Sequence, residues 1–417
     1  MQWDFSGNAL RRSMECAEYG IEKETLRVTP EGLLAKTSHP FTQNSIDRDF
    51  CENQVEMISS VHNDLGSLFD ELDTIHHTVY EKLAGMDELL WPFSNPPVVR
   101  SEEDISIAQF AGEKRERTVY RTYLAEKYGK AIMLYSGIHL NFSFCDDMLL
   151  TMFLRSGEED YTLFKNGVYL ELIQKLLHAN WLIVYLNAAS PLMDGSFARL
   201  RGIEDPGRYA SARCSEIGYW NDFLPVLDFS SIEAYCESIQ RYVDAGRLYS
   251  SAELYYPLRL KPRGAYSFDL LRRNGVNHIE LRCLDINPLA RLGLFKEDVR
   301  FIHLLILYLM SLPAVHLSGD DQRTAIENSK KAALFDDEEN RILLDGRPVP
   351  LRKAAQDALS EIEIFAKTFA EGFLPAVEYQ KEKLCGKRYA ELVRERFPDY
   401  IPDGLRLAEQ LRGTPCA

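Results

Sequence analysis

Hydrophobic and polar residues alternate with a period of two along several short segments of the chain. These segments are 20–28, 52–58, 133–144 and 278–285. Because successive side chains of a strand point to opposite faces, the alternation predicts β-strands with one apolar and one polar face. Apolar residues three and four apart predict helices over 66–83 and 169–185. After Phe295 helical spacing dominates, and it predicts helices over 296–310, 320–333, 353–373 and 378–395.

The succession of these elements favours an α+β fold. Strands separated by helices, without a regular β-α-β rhythm, are typical of a mostly antiparallel sheet rather than a doubly wound one. No repeat of fixed period and no low-complexity linker divides the chain. We therefore predict one domain over 1–417, in which a sheet-containing core of about 1–295 precedes a mainly helical part over 296–417.

Composition narrows the range of partners. The 417 residues are 46% apolar and 27% charged, which is typical of a soluble globular protein. The formal net charge of −15 disfavours a nucleic-acid partner, because such binding relies on clustered Lys and Arg. A small anionic ligand stays compatible with this charge, since bound Mg²⁺ would reverse the sign of a local acidic site.

Cysteine usage and hydropathy predict a location. The eight cysteines form no Cys-x-x-Cys pair and have no regular spacing, so we expect reduced thiols. No basic and apolar leader opens the chain, and the most apolar run, 301–310, is too short to span a bilayer. We predict a cytoplasmic monomer without a membrane partner.

The common nucleotide-loop and hydrolase motifs are missing from the sequence. It contains no Gly-x-x-x-x-Gly-Lys-Ser/Thr loop, no Gly-x-Gly-x-x-Gly, no His-Glu-x-x-His and no Gly-x-Ser-x-Gly. Any nucleotide would therefore have to be held by metal and by dispersed side chains.

The first strand carries two carboxylates on its polar face. Glu22 and Glu24 are two residues apart, so their positions lie roughly 6–7 Å apart on one side of the strand. Carboxylates this close repel each other unless a proton or a cation lies between them, and a hard divalent metal such as Mg²⁺ suits oxygen ligands. The alternative is a solvated edge strand on which Lys23 and Arg27 neutralise the two acids.

The other strands repeat this arrangement. Their polar faces carry, in chain order, Glu52, Gln54 and Glu56, then His139 and Asn141, then Glu280 and Arg282. Each face alone is compatible with solvation, and a single histidine is more often structural than a ligand. Together, however, carboxylates and an imidazole are metal ligands, and Arg282 has the planar fork that suits phosphate or carboxylate. The set favours polyphosphate bound through divalent ions, as in phosphoryl transfer.

A second group of residues suits small carboxylates. Arg213 and Tyr219 lie six residues apart in a loop-like stretch, and Tyr120 lies on a predicted helix. Arginine with tyrosines is a common way to hold a carboxylate, although such residues often only pack. Tyr255 and Arg259 form another mixed cluster, which we place beside the nucleotide.

These segments, in this order, resemble the proteobacterial type of glutamate–cysteine ligase. The matching stretches are 20–28, 49–56, 91–94, 120–121, 136–143, 189–191, 213–219, 253–255 and 279–288. They extend from about residue 15 to about residue 310, and little can be matched beyond. The resemblance implies a glutamine-synthetase-like fold, in which a curved, mostly antiparallel sheet forms a funnel-shaped active site flanked by helices.

The resemblance also implies an ATP-dependent carboxylate–amine ligase with a single catalytic domain. ATP would convert the γ-carboxylate of L-glutamate into a γ-glutamyl phosphate, which the amine of L-cysteine then attacks to give γ-glutamylcysteine, the first step of glutathione biosynthesis. The implied cofactor is Mg²⁺, with Mn²⁺ as an alternative. A related γ-glutamyl ligase with another small amine as acceptor is a second hypothesis, and a catalytically silent binding protein is a third. The chain ends at Ala417, so we expect no second ligase module.

Site roles follow from the resemblance, position by position. The implied metal ligands are Glu22, Glu24, Asp49, Glu56, His139 and Glu280. Glu280 and Arg282 are the implied catalytic residues, with Arg282 neutralising the transferred phosphoryl group and, with Tyr255 and Arg259, binding the nucleotide. The implied substrate contacts are Arg213, Tyr219, Tyr120, Phe50 and Asn141. No general base is evident from the sequence, and the carboxylate candidates for this role are Asp49, Glu52 and Glu56.

Overall fold

The strands and helices are described here from a computed structural model, which covers residues 3–336 and 340–413. The strands are β1 Ala17–Val28, β2 Ile46–Arg48, β3 Gln54–Ile58, β4 Leu89–Leu90, β5 Gly137–Phe144, β6 Leu258–Lys261, β7 His278–Asp285, β8 Arg341–Leu344 and β9 Arg347–Pro350. The α-helices are α1 Asn8–Ser13, α2 Leu65–Ala84, α3 Arg115–Tyr128, α4 Asp146–Ser156, α5 Tyr161–Asn187, α6 Gly195–Leu200, α7 Ile232–Asp244, α8 Phe268–Asn274, α9 Lys296–Ser311, α10 Gly319–Ala332, α11 Leu351–Phe369, α12 Leu374–Cys385, α13 Tyr389–Arg396 and α14 Tyr400–Gly413.

The main sheet is antiparallel and has β1 near its middle. Its order is β2-β3-β1-β5-β7-β6, and β4 also pairs with β1. The register places Glu22 opposite His139 and Glu24 opposite Glu56. Glu280 on β7 lies opposite Arg259 on β6. The polar residues of neighbouring strands therefore form one continuous row on one face of the sheet.

The other face of the sheet is apolar and covered by helices. Ile21, Leu140 and Leu281 are buried there, and the 27-residue helix α5 packs against β6 and β7. Helices α9 and α10 pack against α5 in turn. Burial of this face by α5 leaves the polar face as the side of the sheet that can receive a ligand.

The C-terminal helices return to the sheet region. Tyr400 on α14 packs edge-on against Trp91 with ring centroids 5.4 Å apart, and its hydroxyl donates to the carbonyl of Asn95 at 2.6 Å. Gly404 allows this approach, because a Cβ there would lie 2.4 Å from the Trp91 ring. Helix α14 therefore packs against the segment that follows β4.

The predicted α+β class, with a mostly antiparallel sheet, flanking helices and a helical C-terminal part, is confirmed. The strand 278–285 has the predicted bounds, and the helix 66–83 extends by one residue at each end. The strand predicted from residue 133 begins only at Gly137, because 131–134 form a turn of 3-10 helix. The helix predicted over 378–395 is two helices, α12 and α13, interrupted after Cys385.

A β-hairpin was missed inside the part predicted as mainly helical. Strands β8 and β9 flank Asp345 and Gly346, whose φ angles are 49° and 73°. An Asp-Gly pair between two short strands is a strong hairpin signal, because both residues adopt positive φ readily.

The described cysteines are free, as predicted. Among the described residues, no helix has both the length and the apolar character needed to cross a bilayer.

Candidate active site

Two carboxylates and an imidazole meet on the polar face of the sheet. The Nδ1 atom of His139 lies 3.4 Å from Oε2 of Glu22 and 3.8 Å from Oε1 of Glu280. One ligand atom from each of these residues falls within 4.8 Å of the others. Three antiparallel strands, β1, β5 and β7, therefore place potential metal ligands in one small volume.

A second acidic group lies beside the first. Glu24 and Glu56 face each other across β1 and β3, and Asp49 lies close enough to affect both. Burial, followed by repulsion from Asp49, raises the pKa of Glu24 to about 8 and that of Glu56 well above its ordinary value. Without a cation, these carboxyls hold protons at neutral pH.

Positively charged side chains of the protein surround Glu280. Arg282 Nη1 donates to Glu280 Oε2 at 3.1 Å, and Lys261 Nζ donates to Oε1 at 3.3 Å. Burial disfavours the charged form of Glu280, but Arg282, Lys261 and Arg259 outweigh it and hold its pKa well below the usual range. Burial and the charge of Arg282 lower the pKa of His139, so its imidazole is neutral and can ligate a metal.

The donor set fits a hard divalent cation. Carboxylate oxygens with one neutral imidazole are ligands that Mg²⁺ or Mn²⁺ accepts. The raised pKa values of Glu24 and Glu56 result first from burial and then from repulsion by neighbouring carboxylates, chiefly Asp49. A bound cation would remove this repulsion and allow both groups to ionise.

The row of polar residues opens into a cavity of about 380 Å³. Arg213 and the aromatic rings of Phe50, Tyr120, Tyr219 and Tyr255 line the part of it that we call the aromatic end. Arg213 donates from Nη1 to the carbonyl oxygen of Arg282 at 2.7 Å, and its Nη2 lies 3.4 Å from Nε2 of His139. A Cβ at Gly137 would lie 2.3 Å from the Arg213 guanidinium, so only glycine allows this arginine to cross the end of β5. Arg213 thereby links the metal-ligand cluster to the aromatic end.

Tyrosines form a wall at that end of the cavity. Tyr120, Tyr219 and Tyr255 line it, and the rings of Tyr219 and Tyr255 have centroids 4.1 Å apart. Burial raises the pKa of all three hydroxyls, so they stay protonated and can donate hydrogen bonds. Tyr255 thus lies among the residues predicted for substrate, whereas Arg259 lies at Glu280, on the side predicted for the nucleotide.

Most predicted site residues line this one cavity. Those that do are Glu22, Glu24, Asp49, Phe50, Glu56, Tyr120, His139, Arg213, Tyr219, Tyr255, Arg259, Glu280 and Arg282. Asn141 is not among the lining residues, and its amide donates to Glu22 Oε1 at 3.0 Å. Its position therefore supports a metal-ligand candidate rather than facing the cavity.

Glu52 is the predicted residue that the structure places elsewhere, and the prediction of a shared face with Glu56 was wrong. Strand β3 begins at Gln54, so Glu52 lies in a turn where strand alternation does not apply. Its carboxylate accepts from Arg48 at 2.9 Å and from the backbone N–H of His39 at 2.9 Å. It is therefore not available as a general base in the cavity.

Several lining residues were not predicted from the sequence. They include Arg117, Arg121, Lys261, Trp220 and Tyr256. Lys261 had a readable signal, because it follows Arg259 by two positions and so shares its strand face. Arg121 lay in the matching stretch 120–121 but was given no role, and it enters the site by donating to the carbonyl oxygen of Asp49, a long-range contact.

Comparison with known proteins decides the family. The model of the glutamate–cysteine ligase family matches residues 4–249 and 224–332 of this chain. The chain belongs to this family. A glutathione biosynthesis bifunctional protein of Listeria monocytogenes is 34% identical over 395 residues, which cover 90% of this chain and 51% of that protein. The corresponding protein of Enterococcus faecalis is 36% identical, over 77% of this chain and 42% of its own length.

Solved structures of the family share the fold. The crystal structure of a glutamate–cysteine ligase of Francisella tularensis in complex with AMP has a TM-score of 0.85 and 24% identity, covering 96% of this chain and 90% of that one. A bifunctional glutathione synthetase of Pasteurella multocida has a TM-score of 0.83 and 26% identity, covering 97% and 53%. The chain spans about half the length of the curated relatives that it matches.

Proposed function

We propose that this protein uses ATP to join the γ-carboxylate of L-glutamate to the amine of L-cysteine, which gives γ-glutamylcysteine, the first step of glutathione biosynthesis. One observation carries the proposal beyond family membership. A single cavity combines the cluster of Glu22, His139 and Glu280 with Arg282 at one end, and Arg213 with a tyrosine wall at the other. These are the parts that phosphoryl transfer and amino-acid binding need.

Mg²⁺, with Mn²⁺ as an alternative, is the proposed cofactor. The residues that would hold it are Glu22, Glu24, Asp49, Glu56, His139 and Glu280. When bound, a divalent ion neutralises charge on the phosphate oxygens of ATP. Asn141 would orient the Glu22 carboxylate through its hydrogen bond, as groups behind metal ligands commonly do.

Arg282 is the proposed catalytic group for the first chemical step. An oxygen of the glutamate γ-carboxylate bonds to the γ-phosphorus of ATP, the bond to the bridging oxygen breaks, and ADP leaves. Arg282 is held by Glu280 at 3.1 Å, so its guanidinium is fixed before the phosphoryl group arrives. A preorganised cation at developing negative charge lowers the barrier without a cost of reorientation. Arg259, packed close to Glu280, is proposed to contact the nucleotide.

The second step forms the amide bond. The acceptor amine attacks the acyl carbon of the γ-glutamyl phosphate, the bond from that carbon to the phosphate oxygen breaks, and phosphate leaves. The nitrogen loses a proton, for which Asp49 and Glu56 are the carboxylate candidates that line the cavity. Arg213, Tyr120 and Tyr219 are proposed to bind the substrate carboxylates, and Phe50 to line the acceptor pocket. Because the ring of Tyr255 packs on that of Tyr219, we assign Tyr255 to the acceptor pocket and not to the nucleotide site.

The test is release of ADP from ATP in the presence of Mg²⁺, glutamate and one of a panel of amines. We expect turnover with cysteine to exceed that with alanine, serine or glycine, and mass spectrometry to show γ-glutamylcysteine. A clear preference for another amine would instead support the second hypothesis, a related γ-glutamyl ligase. No ADP release with any amine would leave the silent binding protein as the function.

We also propose that residues 1–417 form a single catalytic domain and that the protein is a cytoplasmic monomer whose partners are small molecules. The net charge of −15 supports the exclusion of nucleic acid. Light scattering would measure the mass, and a dimer would contradict the proposed monomer.

A further inference from the structure

Glu253 contacts the segments that carry the tyrosine wall without lining the cavity itself. It ends a short 3-10 turn over Ser251–Glu253, and its side chain is completely buried. Its Oε1 accepts from Lys127 Nζ at 2.7 Å and from the Tyr128 hydroxyl at 2.7 Å. Its Oε2 accepts from the backbone N–H of Tyr249. One carboxylate thus joins the C-terminal turn of α3 to the segment 249–255.

Asn221 extends the same network to the third segment. Its Nδ2 donates to the carbonyl oxygen of Glu253 at 2.8 Å and to the Tyr128 hydroxyl at 3.1 Å, and its Oδ1 accepts from the backbone N–H of Tyr255 at 2.9 Å. Asn221 follows Tyr219 by two residues. The network therefore reaches each of the three chain segments on which a wall tyrosine lies.

The wall rings pack on residues of this network. Tyr249, whose N–H binds Glu253, has its ring centroid 5.4 Å from that of Tyr120. Tyr128, which donates to Glu253, has its ring centroid 5.6 Å from that of Tyr255. Because side chains in close packing transmit displacement, loss of the carboxylate would move the rings that face the substrate.

We propose that Glu253 is a positioning residue that sets the affinity and selectivity of the acceptor pocket through Tyr120, Tyr219 and Tyr255. The inference rests on the proposed function, since it assigns the tyrosine wall to the acceptor amino acid. On this proposal, the selectivity for the acceptor depends on Glu253, which does not line the cavity but lies behind the tyrosines in a buried ion pair with Lys127. Arg259, which is assigned to the nucleotide, also contacts the segment 249–255, because its Nη2 donates to the backbone carbonyl oxygens of Leu254 at 2.7 Å and Ala252 at 3.3 Å. Glu253→Gln leaves these carbonyl groups in place, so ATP binding should respond less than cysteine binding.

The chain provides a matched control for a purely structural role. Asp298 is buried on α9 and accepts from Lys383 at 2.8 Å, from the Tyr389 hydroxyl at 2.7 Å and from Gln380 at 2.9 Å. This cluster has the same chemistry as Glu253 with Lys127 and Tyr128, but it joins the C-terminal helices to one another and lines no part of the active-site cavity. Asp298→Asn should destabilise the fold without changing substrate selectivity.

The experiment compares Glu253→Gln with Asp298→Asn in the full chain. We expect the KM for cysteine to rise about tenfold in Glu253→Gln, because a small misplacement of binding groups has large effects. The KM for ATP should change by less than about twofold. The preference for cysteine over alanine and serine should fall in the same variant. Asp298→Asn should keep both KM values at the wild-type level while it lowers the unfolding midpoint.

The outcomes separate this proposal from the proposed function. An unchanged KM for cysteine in Glu253→Gln, or equal effects on both substrates, would overturn the positioning role while ligase activity of the wild type stands. If the wild type releases no ADP, calorimetric binding of cysteine replaces KM as the readout. Weaker binding in Glu253→Gln alone would then support the positioning role without the reaction, and no binding to any of the three proteins would overturn both.

Discussion

The two faces of β1 carry charges that are handled in opposite ways. On the face away from the cavity, Arg27 forms a buried ion pair with Glu88 at 2.7 Å, and Lys23 donates to the carbonyl oxygen of Leu292 at 3.0 Å. On the cavity face, Glu24 lies opposite another carboxylate, Glu56, rather than opposite a cation. The same strand therefore holds cations with internal partners on one side and, on the other, a buried carboxylate that faces another carboxylate.

This difference separates charges used for stability from charges kept for function. A buried ion pair with its partner in place can be tolerated, whereas one partner alone is costly. Glu24 and Glu56 remain in the folded chain at a raised pKa, first because they are buried and then because carboxylates adjoin them, and a bound cation would relieve the repulsion. Lys23 and Arg27 lie on the other face, so they do not neutralise Glu22 and Glu24, and the solvated-strand alternative is wrong.

The largest expected effect comes from breaking the partnered face. Arg27→Met leaves the Glu88 carboxylate buried without its guanidinium, which should lower the free energy of unfolding by about 3–5 kcal/mol. Urea unfolding followed by circular dichroism measures this loss. The double variant with Glu88→Gln, which removes the stranded charge, should recover part of the stability. Turnover per folded molecule should stay near wild type, and a large loss of turnover at full folding would contradict the division between the faces.

The second-largest effect is expected from a substitution on the cavity face of the sheet. Arg282→Ala removes the cation proposed for the transferred phosphoryl group, so kcat for ADP release should fall by about 10²–10³. The unfolding midpoint should change little compared with Arg27→Met, since Glu280 retains Lys261 at 3.3 Å. Arg272→Ala, which breaks an ion pair with Glu233 that is partly exposed, is the control and should leave kcat unchanged. Near-wild-type turnover in Arg282→Ala would refute the phosphoryl assignment.

Strand periodicity was sufficient to predict the cavity face of β1, β5 and β7. The alternation placed Glu22 with Glu24 and Glu280 with Arg282, and the structure has both pairs on one side of the sheet. This worked because the period of two depends only on local backbone geometry. The same rule failed at Glu52, where the chain turns before the strand begins, and local periodicity does not mark that boundary.

Contacts between distant segments could not be predicted from periodicity. Tyr255 and Tyr219 pack at 4.1 Å although 36 positions separate them, and no local pattern indicates that pairing. Glu253 had the appearance of an ordinary charged residue in a mixed cluster, and only the fold shows that it is buried with Lys127. Sequence thus predicts which residue types share a strand face, whereas the second layer of a site depends on how loops and helices meet.

A smaller effect should follow from removing one of the crowded acids. Glu24→Gln takes away a carboxylate that repels Glu56, so the metal-free protein should be at least as stable as wild type. Its affinity for Mg²⁺ should fall at least about tenfold, because even groups behind metal ligands commonly cost that much. Titration of Mg²⁺ against the thermal unfolding midpoint measures both quantities. A less stable metal-free variant with unchanged Mg²⁺ affinity would show that Glu24 has an internal partner after all.

The smallest effect is the pH dependence of stabilisation by Mg²⁺. In the folded, metal-free protein the pKa of Glu24 is about 8, above its ordinary value of 4.5. The folded state therefore binds more protons than the unfolded state between these values, and this carboxyl stabilises the metal-free fold less and less as pH rises toward 8. Mg²⁺ binds the ionised form and competes with the proton, so its shift of the unfolding midpoint should grow by a few degrees between about pH 6 and about pH 8. The increase should be smaller in Glu24→Gln, which has lost the titrating group. An Mg²⁺ shift that is independent of pH in the wild type would mean that these carboxyls are already ionised, and the contrast between the two faces of β1 would then rest on geometry alone.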